Sequence, residues 1–344
     1  MVRLKDVARE AHVSPATASL VLAHKAQGRV SEATRRRVRK AAEDLDYVGN
    51  AAARTLRTKQ TKTIGFLSDR IASTPYAVKM IEAANRVALD SGRLLLLINT
   101  EGDEDNVERA VRVLNEHRVQ ETIVASMFHR EVKVHEKLSS DVVVLDGFTV
   151  DSTVPSIVPD EVQGARAVMR MLIDAGHRRI GYLGETRREG EAAVLRKRAY
   201  LDVLTEEGGV LDPDLVVDTR SRPDVAVANA TKLIIEGKPT AIFCFNDVRA
   251  RSVYHAARNL GLRIPEDLSV VGFDNQEMIA PLLDPPLTTV QLPHAEMAEW
   301  AVRTALSAEK PAPPEGGYPV RQECRIVFRD SVGPAPLATE QLSE

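Results

Sequence analysis

Apolar residues recur at helical spacing from the start of the chain. Leu4, Val7, Ala8 and Ala11 make one face at i, i+3, i+4 and i+7. His12-Val13 cannot extend that face. Ser14 followed by Pro15 then has the residue types of a helix N-cap and a first helical position. Ala18, Val21 and Leu22 give the second helix its own apolar side. Two short helices with a tight turn between them read as a helix-turn-helix, a motif whose second helix lies in the DNA major groove. An ordinary αα-hairpin in a larger core has the same spacing. Ser31 opens a third helix with Ala41, Ala42 and Leu45 on its apolar side. Gly49-Asn50 marks a break. Residues 51–57 favour a helix of about two turns, too short to be stable alone in water, so it needs a partner surface. Residues 58–62 read as a polar linker.

From Thr63 the period changes. Short, uninterrupted apolar runs alternate with amphipathic segments. The runs are 63–68, 93–99, 122–125, 142–145, 179–183, 215–217, 241–245 and 268–273. The helices are expected near 76–90, 107–116, 162–175, 192–207, 225–236, 248–259 and 293–306, with a further helical stretch around 132–138. This alternation predicts parallel sheets covered on both faces, in two α/β halves of similar size. Residues 288–291 read as a crossing segment, and 320–328 as a closing pair of strands. Ligands of open parallel sheets sit at the carboxyl ends of strands. Ser68, Asn99, Asp146, Asn246-Asp247 and Asp274-Asn275 stand at such ends. Singly each is a helix cap or turn former. Together, facing one crevice, they make a cleft for a polar ligand.

Charge sharpens the first reading. The 344 residues carry a formal net charge of −3. Residues 1–62 hold 14 Lys and Arg against 6 Asp and Glu, and the remainder holds 32 against 43. Arg35, Arg36, Arg37, Arg39 and Lys40 crowd the third helix. A basic head on an acidic body fits a chain with one end for a polyanion. There is no bilayer-spanning apolar run and no signal-peptide core, so a cytoplasmic protein is expected. Cys244 and Cys324 are too few for a disulfide scaffold, no Cys/His spacing suits a metal, and no cofactor is expected. Strand 64–68 is not followed by a Gly-x-Gly-x-x-Gly turn, which opposes a dinucleotide-binding enzyme. A solute-binding protein and a sugar-metabolising enzyme are the rival classes.

Several motifs carry a resemblance to the lactose-repressor (LacI/GalR) family of bacterial transcription regulators. They are Leu4-Lys5-Asp6-Val7-Ala8, Val13-Ser14-Pro15-Ala16-Thr17, Asn50-Ala51-Ala52-Ala53-Arg54-Thr55-Leu56, Gly176-His177-Arg178-Arg179-Ile180-Gly181, Phe245-Asn246-Asp247, and Asp267 to Asp274. The resemblance covers essentially the whole chain. It implies an α + α/β protein. A three-helix DNA-binding head spans 1–49, a hinge helix and linker 50–62, and a two-lobed periplasmic-binding-protein-like sensor 63–344. One lobe takes about 63–159 and 290–319, the other about 160–289 and 320–344.

The resemblance also implies partners: double-stranded operator DNA with a pseudo-palindromic site, a second copy of the chain, and a small effector, a sugar or its derivative being commonest. The end of the chain lacks a leucine heptad, so a homodimer is expected over a tetramer. DNA contacts are implied at Leu4, Ser14, Pro15, Ala16, Thr17, Ser19, Leu20, Asn50, Ala53, Arg54 and Leu56. Pro15, Ala16 and Leu20 fall on base-reading positions, Thr17 and Ser19 on phosphate-touching ones, and Leu56 on the minor-groove wedge. Leu20 is a departure, because relatives often carry a hydrogen-bonding side chain there. Some specificity is then expected from the hinge and from DNA deformation. Gly49, where relatives carry proline, implies a looser hinge entry. Effector contacts are implied at Pro75, Tyr76, Asp146, Arg196, Asn246 and Asp274. Pro159-Asp160 replaces a common Asp-Asn pair.

Overall fold

A computed structural model describes residues 2–23, 26–47, 61–71, 74, 77–185, 190–219 and 222–336. The contacts divide the chain into two units, 1–61 and 62–344. In the first, α1 (Leu4–Glu10), α2 (Pro15–Leu22) and α3 (Glu32–Asp44) enclose a small core of Val7, Ala8, Ala11, Ala18, Val21, Ala26, Val38 and Ala41. The second and third helices start where a serine side chain replaces a missing backbone partner. Ser14 Oγ accepts from the Thr17 N–H at 3.1 Å, and Ser31 Oγ from the Thr34 N–H at 3.3 Å. Between α1 and α2, His12 adopts φ 50°, and the Val13 N–H donates to Ala8 O at 2.9 Å. This left-handed residue is what keeps α1 from running on.

The second unit contains two six-stranded sheets. The first has the order β11-β5-β4-β3-β1-β2, the second β12-β10-β9-β8-β6-β7. Here β1 to β5 are Thr63–Ser68, Leu94–Asn99, Glu121–Glu131, Asp141–Phe148 and Ser156–Pro159. The later strands β6 to β10 are Ile180–Glu185, Val216–Thr219, Ala241–Cys244, Ser269–Asp274 and Thr288–Gln291. The last two, β11 and β12, are Val320–Gln322 and Arg325–Val327. All pairings are parallel except β10 with β12. Helices α4 (Ala77–Asp90) and α10 (His294–Leu306) pack together on the first sheet, and α5 (Glu104–Glu116) follows β2. The second sheet is covered by α6 (Glu161–Asp174), α7 (Glu191–Glu206), α8 (Pro223–Gly237) and α9 (Asp247–Asn259). Each lobe is therefore built from separated stretches of chain.

Four features depart from the sequence reading. No helix forms over 132–138. Instead β3 runs on to Glu131 past an irregularity after Ala125, and the Val132 N–H donates to Phe148 O at 2.8 Å. Beyond that one bond, residues 133–138 form neither helix nor strand. The crossings between lobes expected at 289–290 and 319–320 lie a few residues later. Val290 and Gln291 still pair with β9, and β11 pairs with β5 in the first sheet before the chain returns. The two closing strands are thus not a pair, since β12 joins β10 in the other sheet. Finally, β2 is an edge rather than a strand buried on both faces, with Leu94 64% and Leu97 38% exposed.

Candidate functional site: a helical head and an interlobe cleft

On the head, the amino end of α2 faces solvent. Ser14, Pro15 and Ala16 are exposed, whereas Thr17, Ser19, Leu20 and Leu4 are half-buried. Leu4 and Leu20 pack against the head's core, so part of each side chain serves the fold. On α3, Arg36, Arg37, Arg39 and Lys40 are exposed and Arg35 is half-buried beside Glu32. Asn50, Ala53, Arg54 and Leu56 lie outside the described residues.

In the second unit a cavity of about 330 Å³ opens between the lobes. Four of the six sequence-named effector positions line it: Asp146, Arg196, Asn246 and Asp274. They come from the carboxyl ends of β4, β8 and β9 and from α7, as the strand-end rule requires. Pro75 and Tyr76 lie outside the described residues. Of the other polar strand ends, Asp247 sits behind the cleft, and Asn275 reaches away to Gln291 at 2.7 Å. Ser68 and Asn99 do not line the cavity.

Arg196 is the hub. Although Lys197 and Arg198 adjoin it in sequence, it is 2% exposed. Nε donates to Glu161 Oε2 at 2.6 Å, and NH1 donates to Phe245 O at 2.6 Å and to Asp274 Oδ1 at 3.4 Å. The guanidinium carbon lies 3.6 Å from the Phe273 ring centroid and 4.7 Å from that of Phe245. Burial works against the charge, but Glu161 and Asp274 more than offset it and hold the group protonated.

Asp274 is presented by a tight turn with left-handed backbone, φ 97° there and 49° at Asn275. Asp247, buried at the start of α9, braces that turn. It accepts from the Gln276 N–H and from Thr289 Oγ1, both at 2.6 Å. Burial, with Asp274 nearby, raises Asp247 to about 7, and burial raises Asp274 to about 6. Asn246 lines the cleft and also caps α9, accepting from the Arg249 N–H at 3.1 Å.

The opposite wall belongs to the first lobe. Asp146 has φ 56°, is 4% exposed, and its Oδ1 has no hydrogen-bond partner. Burial, then Glu161, raises its pKa well above the carboxylate range. His129 Nδ1 is likewise unpartnered by a hydrogen bond, 4.0 Å from Glu161 Oε1. Burial lowers its pKa and keeps the ring neutral.

Glu161, Glu185, His129, Gln276 and His294 line the cleft without having been singled out by sequence. Glu161 had one signal, its place directly after the departing Pro159-Asp160 pair. It looks like an ordinary first-turn acid. Glu185 is matched by Arg249. His294 is neutral because burial lowers it to about 4. Its contribution to stability is complete above the unfolded value of 6.5 and is lost as pH falls toward 4, by about 2 kcal/mol at pH 5. The melting-temperature gap between wild type and His294→Asn therefore narrows from pH 7 to pH 5. The raised carboxylates are common to both proteins and cancel. A gap independent of pH would show that His294 is not held neutral.

Comparisons with known proteins follow the same division. Residues 3–50 match the family described as bacterial regulatory proteins, lacI family, and residues 169–332 match the periplasmic binding protein-like domain. The HTH-type transcriptional repressor PurR of Photobacterium profundum is 32% identical over 316 residues, 90% of this chain and 92% of that protein. The ribose operon repressor of Haemophilus influenzae is 30% identical over 336 residues, 96% and 99% of the two chains. A LacI-family putative transcriptional regulator from Rhizobium etli superposes with TM-score 0.70 at 30% identity, covering 79% of this chain and 99% of its own. The lac repressor dimer bound to operator and the anti-inducer ONPF superposes with TM-score 0.76 at 24% identity, covering 96% and 99%. With relatives of this identity aligned along nearly its whole length, the chain belongs to the LacI family of bacterial transcriptional regulators.

Proposed function

We propose that this chain is a transcriptional repressor. Two copies present their heads to a pseudo-palindromic operator, and a small polar effector in the interlobe cleft alters the affinity for DNA. One observation carries the reading: a single chain holds both a capped helix-turn-helix with a basic third helix and a cleft lined by a buried polar cluster. Residues 1–49 act as the DNA-binding head, 50–62 as hinge and linker, and 63–344 as the sensor. DNA contacts are assigned to Leu4, Ser14, Pro15, Ala16, Thr17, Ser19 and Leu20 on the head and to Asn50, Ala53, Arg54 and Leu56 in the hinge. Asp146, Arg196, Asn246 and Asp274, with Pro75 and Tyr76, contact the effector. Pairing has support in the exposed apolar side chains of α4 and β2, namely Val78, Leu89, Leu94 and Leu97, and in Met278 and Leu282 of the other lobe. No helix among the described residues is long and apolar enough to cross a membrane. A cytoplasmic repressor fits this.

The cleft suits hydroxyl groups, because carboxylates and amides accept from and donate to neighbouring hydroxyls. Effector and operator alter each other's affinity by one common factor, since coupling between binding sites is reciprocal. Fluorescence anisotropy with a labelled fragment of the protein's own promoter tests the reading. Binding that weakens steeply with salt is expected, as phosphate contacts release counterions. No binding at low ionic strength, with or without small molecules, would sink it. Within the head, Leu20→Ala distinguishes two roles. A loss shared equally by all single-base operator variants means that Leu20 only supports α2. A loss confined to particular base pairs means that it packs on thymine methyls.

A further inference from the structure

We propose that Glu161 sets the charge selectivity of the cleft: by engaging Arg196 it restricts the site to uncharged polyhydroxylated ligands and shuts out phosphorylated or carboxylated ones. This rests on reading the cleft as the effector site. It adds a determinant that the strand-end pattern does not contain.

The argument begins with the geometry of a guanidinium. Arginine grips an anion through one of two edges, Nε with NH2 or NH1 with NH2, each a pair of parallel N–H groups. In this cleft Nε is spent on Glu161, and NH1 is spent on Phe245 O and Asp274. Neither edge keeps both donors, so bidentate capture of a phosphate or carboxylate is blocked. The guanidinium also lies over the rings of Phe245 and Phe273.

Charge points the same way. The cavity is lined by the carboxyl groups of Asp146, Glu161, Glu185 and Asp274, and Arg196 is the one Lys or Arg among the described lining residues. Arg249 answers Glu185 from behind. The two lining histidines are held neutral by burial. Lys79 and Arg321 act on those histidines from outside the lining. The amino ends of α7 and α9 also reach the cavity and by their dipoles favour an anion. Glu191 and Asp247 already occupy those first turns.

Asp146 lines the cavity, and its buried Oδ1 has no hydrogen-bond partner. A ligand hydroxyl supplies the missing hydrogen bond. Glu161 owes its place to α6. The N-cap Asp160 accepts from the Gln163 N–H at 3.0 Å, and Gly164 lets the helix lie against Phe273 and Cys324. A Cβ at Gly164 would come within 2.9 Å of Cys324 Cβ. The carboxylate is thus held by a packed helix end.

The test is calorimetric titration of the full-length protein with inorganic phosphate at constant ionic strength, wild type against Glu161→Gln. Glutamine removes the competing charge and replaces a charge-assisted bond to Nε by a weaker neutral one, which an incoming phosphate can displace. The expected result is no cleft binding in wild type and a gain of about tenfold or more in the variant. The basic head is common to both proteins, so phosphate held there cancels in the comparison. Equal affinities in the two proteins, including none in either, would overturn the proposal. Should Glu161→Gln not fold, Glu161→Asp draws the carboxylate back by one methylene and is expected to show a smaller gain.

A second arm uses wild type alone. Glucose and ribose are compared with glucose 6-phosphate, ribose 5-phosphate and gluconate by thermal shift. Any anionic member that stabilises the protein more than its neutral parent also overturns the proposal. Promoter binding is measured separately, so failure of the repressor reading would be seen there and not here.

Discussion

Arg196→Met is expected to lower the melting temperature of the sensor unit by on the order of 10 °C and to abolish its response to effector. The residue is 2% exposed, and its guanidinium is the cation shared by Glu161 and Asp274. Removing one partner of a buried ionic cluster leaves the others desolvated and uncompensated, which costs about 3–5 kcal/mol. In a unit of this size each kcal/mol moves the transition by roughly 2–4 °C. Part of the cost is absorbed by protonation, because Asp274 already titrates near 6 through burial. The double variant Glu161→Gln, Arg196→Met separates the causes. If the loss comes from an orphaned carboxylate, the second substitution restores much of the stability. If it comes from lost packing on Phe245 and Phe273, it restores none. Scanning calorimetry of wild type, the single variants and the double variant closes that cycle. Full retention of stability in Arg196→Met would mean that the cluster is not the hub described here.

The second large effect falls on the other unit. Val38→Asp is expected to abolish operator binding and leave the melting of the sensor unchanged. The head is small, and its buried residues are mostly alanines, with Val7, Val21 and Val38 as the larger members. Domains of this size bury too little surface to have stability to spare. Val38 is wholly buried on α3. A carboxylate there has no partner among the alanines and valines around it, and burying an unpaired charge exceeds what such a head can bear. The sensor's cores lie in other stretches of chain, residues 64–324. A promoter-binding assay with calorimetry of the same sample checks both halves. Retained DNA binding would show that the head tolerates a charge at its centre, against the packing described.

Much of this architecture was legible before any coordinates. The head helices announced themselves through period and through Ser14-Pro15 and Ser31, because a cap is a local event settled within a few residues. Strands of the parallel sheets read as plain apolar runs because helices cover both faces. The stretch 132–138 misled because a short apolar spacing also occurs in irregular chain, which is what it forms. Likewise 320–322 and 325–327 were legible as strands, but not as members of different sheets. Nothing local distinguishes a strand of one lobe from a strand of the other.

The site divides along the same line. Asp146, Asn246 and Asp274 could be found by where strands end, and Arg196 through resemblance. Glu161 could not, since a glutamate in the first turn of a helix is the commonest of surface residues and only its surroundings here make it otherwise. What the sequence alone determined is the set of elements, the division into a basic head and an acidic α/β body, and the strand-end positions of three acceptors. What the tertiary structure decided is which charges are buried together. Burial and pairing depend on residues far apart in the chain, as Glu161, Arg196 and Asp274 are, and no local pattern records the distance between them.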